Sequence, residues 1–343
     1  MHRVTLVFIL FLLIPDLYIY LVYVVRKTRK AVLHCLYWLP TLLLAAGYVY
    51  FIFLTGDNAM SNHTQAIGRL AITIMLFVFP KTIFMLCSLK GVLAHFIIRR
   101  CPRSPFTAIG LVLAVVSFFN ILYGTLAGIT RFDTKEVEYR SANIPEGFDG
   151  YRIVQISDIH IGSWQGNPEP IKQLVDLVNG QILSQLYAPD GVYSILGNHD
   201  YGSYYHWQSP KAEIANLDYL IRQQKAMGWK LLNNEHDILH HKGDSIALIG
   251  VENDGEPPFS QFADLPQAMQ GTEGMFQILL SHNPTHWRRE VLPQSDISLM
   301  LAGHTHAMQG ILFGHSLAEL IYPEWRGMYY EGKRALYVNI GIG

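Results

Sequence analysis

Four long apolar segments occupy the first 130 residues, and they constrain the fold more than any other feature of the chain. They lie at about 4–25, 31–54, 70–89 and 107–130, and each reaches the ~18 residues that a membrane-spanning helix needs. Basic residues follow the first segment directly, which indicates a retained anchor rather than a cleaved signal peptide. We therefore expect a four-helix transmembrane domain over 1–130, with the lipid bilayer as its partner. Helices buried inside a soluble protein are the alternative.

Lys and Arg residues are distributed unevenly between the loops that would join these helices. Four follow the first segment, four follow the third, and the loop after the second segment ends in a single Arg69. Positively charged loops stay in the cytoplasm. Both ends of the membrane domain, and everything after residue 130, are therefore expected on the opposite side. For a bacterial inner membrane, that is the periplasmic or extracellular side.

Two ionisable residues, Asp16 and Lys81, fall inside the predicted spans, and each directly follows a proline. Their two spans cross in the same direction, so both side chains are expected at a similar depth. A charge in the hydrocarbon region costs at least ~2.5 kcal/mol on insertion scales, which favours pairing. We predict an Asp16–Lys81 ion pair that fixes helix packing. A proton relay within a transporter is the alternative.

The remainder of the chain has a different composition. A polar stretch at 131–150 is expected to be a linker, and from residue 151 onward short β-rich runs alternate with polar helical segments. The periodicity predicts strands at 151–157, 191–197, 276–281 and 297–302, a hairpin at about 236–252, and helices at about 168–180 and 210–227. Such alternation is typical of an α/β domain. The net charge of −1 gives no indication of nucleic-acid binding.

Polar blocks follow four of the predicted strands. They read Gly-Asn-His-Asp at 197–200, Asp158-Ile-His160, Ser281-His282 and Gly303-His304-Thr-His306. Open α/β sheets place their sites at the carboxyl ends of strands. Carboxylate, imidazole and amide groups are ligands for hard divalent metals. A lone histidine after a strand is more often structural, but the four blocks together indicate a metal site.

Taken in their order along the chain, the four blocks resemble those of the calcineurin-like metallophosphoesterases, in particular the bacterial membrane-anchored type. The family's blocks read D-x-H, G-D, G-N-H-D/E, H and G-H-x-H, and all but G-D are present here. The resemblance covers 151–343 and implies a four-layer α/β/β/α sandwich. It also implies metal-dependent hydrolysis of phosphomonoesters or phosphodiesters with two divalent ions, such as Mn, Fe or Zn.

The resemblance further implies a role for each matching residue. One metal would be held by Asp158, His160 and His306, and the other by Asn198, His282 and His304. His199 would donate a hydrogen bond to the phosphoryl oxygen or the leaving group, and Asp200 would orient His199.

The missing G-D block would supply the carboxylate that bridges the two metals. Only 38 residues separate His160 from Asn198, which is too few for the block and its helices, so one strand of the sandwich is expected to be absent. Asp176 could replace the bridging ligand, although the apolar spacing around it favours the surface of a helix. Asp190 is expected in a turn. The chain also ends soon after its last predicted strand, at 335–340, which suggests a shortened or internally deleted copy.

We therefore expect a membrane-anchored, metal-dependent phosphohydrolase whose catalytic domain lies outside the cytoplasm. Tethering to a bilayer makes lipid-linked phosphoesters candidate substrates. The alternative is an impaired or inactive relative. Without the bridging carboxylate, Asp158 alone offsets the repulsion between two dications, so the second metal would bind weakly.

Overall fold

The computed structural model describes residues 2–54, 63–98, 102–126, 134–160, 186–203, 205–257, 259–311 and 314–342. The chain forms two compact units, Met1–Arg131 and Phe132–Gly343. Each unit has its own hydrophobic core.

Apolar helices make up the described part of the first unit. Helices α1 (His2–Ile19) and α2 (Ala31–Val49) continue into π-helical turns, Tyr20–Val24 and Tyr50–Leu54, and are followed by α3 (Thr64–Ile97) and α4 (Ser104–Leu126). Among the described residues, three helices are long and apolar enough to cross a membrane, namely Ala31–Phe53, Gln65–Ile97 and Pro105–Leu126. The apolar stretch at the start of the chain, Ile9–Val24, is shorter than the predicted span.

The predicted contact between Asp16 and Lys81 is confirmed. Lys81 Nζ lies 2.7 Å from Asp16 Oδ1, and the Asp16 side chain is only 1 % exposed. Tyr37 donates to the backbone carbonyl and the carboxylate of Asp16, and Thr41 donates to Asp16 Oδ2. Partners from α2 and α3 thus satisfy both oxygens of a carboxylate on α1. A charge within hydrocarbon is tolerated when it is paired in this way. The ion pair joins α1 to α3, and the two hydroxyl groups join α2 to the same carboxylate.

The second unit contains a six-stranded mixed sheet and a separate pair of strands. The separate pair consists of two parallel strands, β1 (Tyr193–Ser194) and β2 (Lys230–Leu231). The others are β3 (Glu235–His241), β4 (Asp244–Gly250), β5 (Phe276–Leu280), β6 (Leu299–Ala302), β7 (Gly327–Glu331) and β8 (Arg334–Val338). They lie in the order β3-β4-β5-β6-β8-β7. The four central strands are parallel, and an antiparallel hairpin forms each edge.

Side chains on the two faces of this sheet enter different core clusters. Along β4, Ile246 and Leu248 belong to one cluster, whereas Ala247 and Ile249 belong to the other. This is the alternation that a pleated strand imposes. The cluster around Ala247 also includes side chains from helix α6 (Leu265–Met269) and from the π-helical turn Trp287–Val291, which leads into α7 (Leu292–Gln294).

Helix α5 (Pro210–Ala226) covers the β1–β2 pair. The hydroxyl of Ser209 accepts a hydrogen bond from the Ala212 N–H, and Pro210 occupies the first turn. A capping hydroxyl and a proline in the first turn are two features that favour the start of a helix. Leu217, Leu220 and Ile221 on α5 pack against a cluster that includes Leu231 of β2.

One expected strand, at 151–157, is not formed. The segment has no ladder with any described strand, and Val154 is 72 % exposed. Amide side chains hold it instead. Gln155 Nε2 donates to the Ala302 carbonyl, and Asn339 Nδ2 donates to the Gln155 carbonyl. Contacts to the ends of β6 and β8 therefore replace the backbone ladder that defines a strand.

The other elements agree with the sequence pattern to different degrees. The hairpin, the strands at 276–281 and 297–302, and the helix at 210–227 are confirmed, while the strand at 191–197 is reduced to Tyr193–Ser194. Strand β7 was not predicted, and the helix expected at 168–180 lies outside the described residues. The α/β class is confirmed, with a mixed sheet.

Candidate metal centre

Four loops at the ends of apolar segments meet beside the central sheet. Strands β5 and β6 are parallel neighbours, so His282 and His304, which follow them, lie at the same sheet edge. Asn198 follows β1 by a few residues, and Asp158 follows the extended segment at 151–157. The carboxyl ends of three strands, together with the end of this extended segment, therefore bring together residues that are far apart in the chain.

The first predicted ligand group is assembled. One ligand atom from each of Asp158, His160 and His306 lies within 4.8 Å of the other two. His160 Nε2 is 2.9 Å from His306 Nε2, and His306 Nε2 is 3.2 Å from Asp158 Oδ1. Two imidazole nitrogens and one carboxylate oxygen thus point toward a common centre.

The second predicted group is assembled beside the first. Asn198 Oδ1 lies 3.0 Å from His282 Nε2 and 3.1 Å from His304 Nδ1, and these two nitrogens are 3.3 Å apart. Asp158 connects the groups because its Oδ1 is also 3.8 Å from His282 Nε2. Its other oxygen accepts a hydrogen bond from the backbone N–H of His304.

The backbone at these residues is unusual. Asp158, His160, His304 and His306 all have positive φ, between 45° and 74°. Non-glycine residues rarely adopt this region, and those that do cluster at functional sites. The Asp-x-His and Gly-His-x-His blocks therefore have an unusual backbone conformation in addition to their metal-binding side chains.

Glycines allow the loops to approach each other. A Cβ on Gly303 would lie 2.5 Å from Asp158 Oδ2, and a Cβ on Gly197 would lie 2.9 Å from the His282 ring. Each glycine precedes a predicted ligand in its own block and makes room for a ligand from another block. Close approach of backbone to a functional group is a characteristic use of glycine.

Burial and mutual contact set the protonation of the cluster. Burial lowers the pKa of His282 to about 4 and that of His304 to about 3. It also lowers the pKa values of His160 and His199. Burial would raise the pKa of Asp158, but the hydrogen bond from His306 and the neighbouring histidines hold it well below its ordinary value. The imidazoles of His160, His199, His282 and His304 are therefore neutral and the Asp158 carboxylate is ionised at pH 7, which is the state that binds metal.

The two predicted catalytic residues, His199 and Asp200, lie close to the predicted metal ligands. The His199 ring centroid is 5.1 Å from that of His160, and His199 lines a pocket with Asn198 and His304. Asp200 Oδ2 accepts a hydrogen bond of 2.7 Å from the Gly197 N–H. This bond closes the Gly-Asn-His-Asp turn on itself. The predicted orientation of His199 by Asp200 stays a prediction.

Comparison with known families matches both units. Residues 2–129 match the model described as "Probable Calcineurin-like phosphoesterase, transmembrane domain", and residues 151–308 match "Calcineurin-like phosphoesterase". The chain belongs to the calcineurin-like phosphoesterases. No solved structure gives a significant match to it.

Similar proteins occur in animals and bacteria. The "Transmembrane protein with metallophosphoesterase domain" of Danio rerio is 29 % identical over 69 % of this chain and 58 % of its own length. The "Uncharacterized metallophosphoesterase YkuE" of Bacillus subtilis is 28 % identical over 62 % of this chain and 78 % of its own length. An "Uncharacterized metallophosphoesterase" of Helicobacter pylori is 26 % identical over 88 % and 82 %. The chain thus spans less than two thirds of the Danio rerio relative.

The side chains suit the divalent metals of a calcineurin-like phosphoesterase. Nitrogen and oxygen atoms converge at hydrogen-bonding distances, and the only thiols among the described residues, Cys35 and Cys87, are in the membrane unit. His160 Nε2 and His306 Nε2 face each other across 2.9 Å, an arrangement in which at most one nitrogen can donate. Ring nitrogens directed at a common point in this way are suited to bind a cation.

Three residues of the site were missed in the sequence. Tyr322 OH is 3.1 Å from His304 Nε2 and fixes that ring from the side opposite Asn198. Gly341 has a φ of +85°, and a Cβ there would lie 2.7 Å from the Asp158 Cβ. Phe259 meets the His304 ring edge-on, with centroids 4.8 Å apart. None of these belongs to a polar block, so only the glycine after the last strand offered a signal.

A buried polar network adjoins the predicted ligand His282 and was also missed in the sequence. His286 is fully buried; its Nδ1 is 2.9 Å from Ser281 Oγ and its Nε2 is 2.9 Å from Glu290 Oε2. Asp254 Oδ2 lies 3.3 Å from the same Nε2 and pairs with Arg289. Arg289 thus offsets the charge of Asp254, while Glu290 has a contact with His286 in the same network. The helical spacing of His286 and Glu290 was the available signal.

Two carboxylates, Asp190 and Asp176, were considered as substitutes for the bridging ligand, and only Asp190 is among the described residues. Asp190 lies in a turn, as predicted, and accepts a hydrogen bond of 2.7 Å from Tyr151 OH. Asp176 lies outside the described residues.

Proposed function

We propose that this chain is a membrane-anchored, metal-dependent phosphoester hydrolase with a two-metal centre. The observation that carries the proposal is that the six predicted ligand side chains form two adjoining groups, with Asp158 close to both. Membership of the calcineurin-like phosphoesterases supports the reaction type. Two bound divalent ions would polarise the phosphoryl group and supply hydroxide for in-line attack.

Each residue of the candidate site has a distinct role in this proposal. Asp158, His160 and His306 would hold one ion, and Asn198, His282 and His304 the other. His199 lines the pocket and is placed to donate a hydrogen bond to the phosphoryl oxygen or leaving group. Asp200 closes the turn that presents His199. Tyr322 fixes the ring of His304 from the pocket side.

We further infer that the boundaries are 1–130 for the membrane domain, 131–150 for a linker and 151–343 for the catalytic domain. The distribution of Lys and Arg supports a catalytic domain on the non-cytoplasmic side. Cysteines introduced at exposed positions in intact cells, one at Ile214 and one after Arg26, would test this. An impermeant maleimide should label the first and spare the second.

An inactive relative is the second candidate, and one observation favours it. Among the described residues of the ligand cluster, Asp158 is the only carboxylate. A second dication held by one amide and two imidazoles has little negative charge to offset it. In that case the first group would bind a metal and the second would not.

Metal content and hydrolysis, measured together, distinguish these candidates. Detergent-purified protein would be assayed for metal per chain by inductively coupled plasma mass spectrometry and for hydrolysis of bis(p-nitrophenyl) phosphate. Close to two metals with activity abolished by Asp158→Asn supports the hydrolase, with His240→Gln as a surface control. One metal or none, without hydrolysis, identifies an inactive relative.

A further inference from the structure

An apolar surface adjoins the candidate metal centre. The pocket beside the ligands has a volume of about 220 Å³. Its lining includes the polar side chains of Asn198, His199, His304 and His306. The same lining includes the apolar side chains of Phe259, Met308 and Ile321. A phosphate bound by the polar side chains would therefore have hydrocarbon beside its substituent.

The pocket is too small for a whole organic substrate. Sites for drug-sized ligands usually enclose ~300–1,000 Å³, so this pocket admits a phosphoryl group and only the first atoms of a substituent. The remainder must lie over the pocket mouth. Ile321 belongs to both the pocket wall and the surface outside it, since its side chain is 60 % exposed.

Two further exposed apolar side chains, Leu317 and Leu320, precede Ile321 in the chain, and we call these three residues the apolar rim. Leu317 is 66 % exposed and Leu320 is 82 % exposed. They lie on the short helical turn Leu317–Leu320, which is fixed by a reciprocal capping interaction between Ser316 and Glu319. A capped turn that presents leucines to solvent indicates an interaction surface.

Both ends of the apolar rim are attached to the ligand loops. Ser316 donates a hydrogen bond to the carbonyl of Ala307, directly after His306. At the other end, Tyr322 OH bonds with His304 Nε2. Ala318 is fully buried and packs beneath the turn with Ala307 and Trp325. The rim is therefore held in a fixed position relative to the residues proposed to bind phosphate.

We propose that the apolar rim binds the hydrocarbon chain of a lipid phosphoester whose phosphate enters the pocket; this rests on the proposed hydrolase function. Three side chains expose far less surface than the ~800 Å² that each partner of a stable protein complex buries. A single alkyl chain matches both the size of the rim and its continuity with the pocket. The chain's own membrane helices also place it where such lipids occur.

Two chromogenic diesters that differ only in chain length test the proposal: methyl and octyl p-nitrophenyl phosphate, with the full-length protein in lipid nanodiscs. A buried methylene is worth about fourfold in affinity, so partial contact along an octyl chain should raise kcat/KM by at least about tenfold. Leu317→Ser with Leu320→Ser should bring the ratio close to one and leave methyl ester turnover within about twofold. Ile214→Ser, on an exposed apolar residue of α5, is the matched control.

A binding measurement separates this proposal from the proposed function. The affinities of octyl phosphate and methyl phosphate would be compared in the same nanodiscs, without turnover. The octyl preference should appear in the wild type and the Ile214 variant and be lost in the double variant. That result without hydrolysis of either diester would retain the lipid site and reject the hydrolase. An equal affinity for both phosphates, or a preference that survives the double variant, would overturn the lipid site.

Discussion

His160 Nε2 and His306 Nε2 lie 2.9 Å apart, with Asp158 Oδ1 3.2 Å from the latter. A carboxylate oxygen and two imidazole nitrogens that converge in this way would supply three of the six ligands of an octahedral metal site, or three of the four of a tetrahedral one. Of these three residues His306 also lines the pocket, so a substrate bound in the pocket would lie beside this group.

Removal of one of these nitrogens should release a metal. We expect His306→Gln to lose about one metal per chain relative to the wild type, because two ligands hold a divalent ion much more weakly than three. His315→Gln is the matched control, since His315 is exposed and bonds only to Glu319 among the contacts described. Unchanged metal content in His306→Gln would remove this residue from the ligand set.

The close approach of two loops makes Gly303 irreplaceable. A Cβ there would lie 2.5 Å from Asp158 Oδ2 and 2.9 Å from the Ser157 Cβ. We expect Gly303→Ala to displace Asp158, reduce metal content and lower the free energy of unfolding by about 1–3 kcal/mol. Gly310→Ala is the control because no atom lies within 4 Å of its Cβ position. Calorimetry and mass spectrometry measure the two effects, and equal behaviour of both variants would contradict the geometry.

The neutral histidines predict a pH dependence for the metal-free protein. His282 and His304 have folded pKa values of about 4 and about 3, whereas an unfolded histidine titrates near 6.5. Above pH 6.5 both states are neutral and contribute nothing. As pH falls below 6.5 the unfolded state takes up protons first, so stability decreases by up to ~1.4 kcal/mol per pH unit for each histidine. Thermal unfolding in chelator between pH 7.5 and 4.5 should show this decline, and His282→Asn should reduce its slope.

The buried network around His286 should be needed for stability. His286→Gln removes the bond from Nε2 to Glu290 and leaves a partly buried carboxylate without it. We expect the free energy of unfolding to fall by about 1–3 kcal/mol. His240→Gln, which alters an exposed histidine bonded to Ser245, should have little effect. A comparison of melting temperatures of the two variants decides the matter, and a neutral His286→Gln would show that the network is dispensable.

The ion pair between Asp16 and Lys81 can be tested by a double-mutant cycle. Lys81→Met leaves a buried carboxylate without its cation and should cost about 2–3 kcal/mol, less than for a fully buried pair, because the Lys81 side chain is 27 % exposed. Adding Asp16→Asn should recover part of that loss. Additive effects of the two substitutions on unfolding in detergent would argue against coupling.

The four polar blocks of the candidate metal centre could be found in the sequence because metal binding restricts them to a few residue types at fixed spacings. The aromatic residues that contact these blocks could not be found in this way. Tyr322 and Phe259 reach His304 only because separate loops fold over it. No local pattern records that approach, since any aromatic residue on a loop has the same signature.

The segment at 151–157 shows a second limit of prediction from local sequence. Its apolar residues satisfy every local criterion for a strand, yet a strand also requires a neighbouring backbone with free hydrogen-bonding groups. Gln155 and Asn339 supply side-chain bonds instead. Propensity describes what a segment can do alone, whereas pairing depends on what lies beside it.

The pairing of Asp16 with Lys81 also has a consequence for biogenesis. The two residues belong to different helices, and Asp16 emerges from the ribosome well before Lys81. During that interval the Asp16 carboxylate can have the Tyr37 and Thr41 hydroxyls of the second helix as partners but not its cation, so the first helix cannot rest in the lipid phase at low cost. The nascent helix should therefore linger beside the insertion machinery until the third helix arrives. In this way one ion pair makes release into the membrane a joint event for helices that are made one after another.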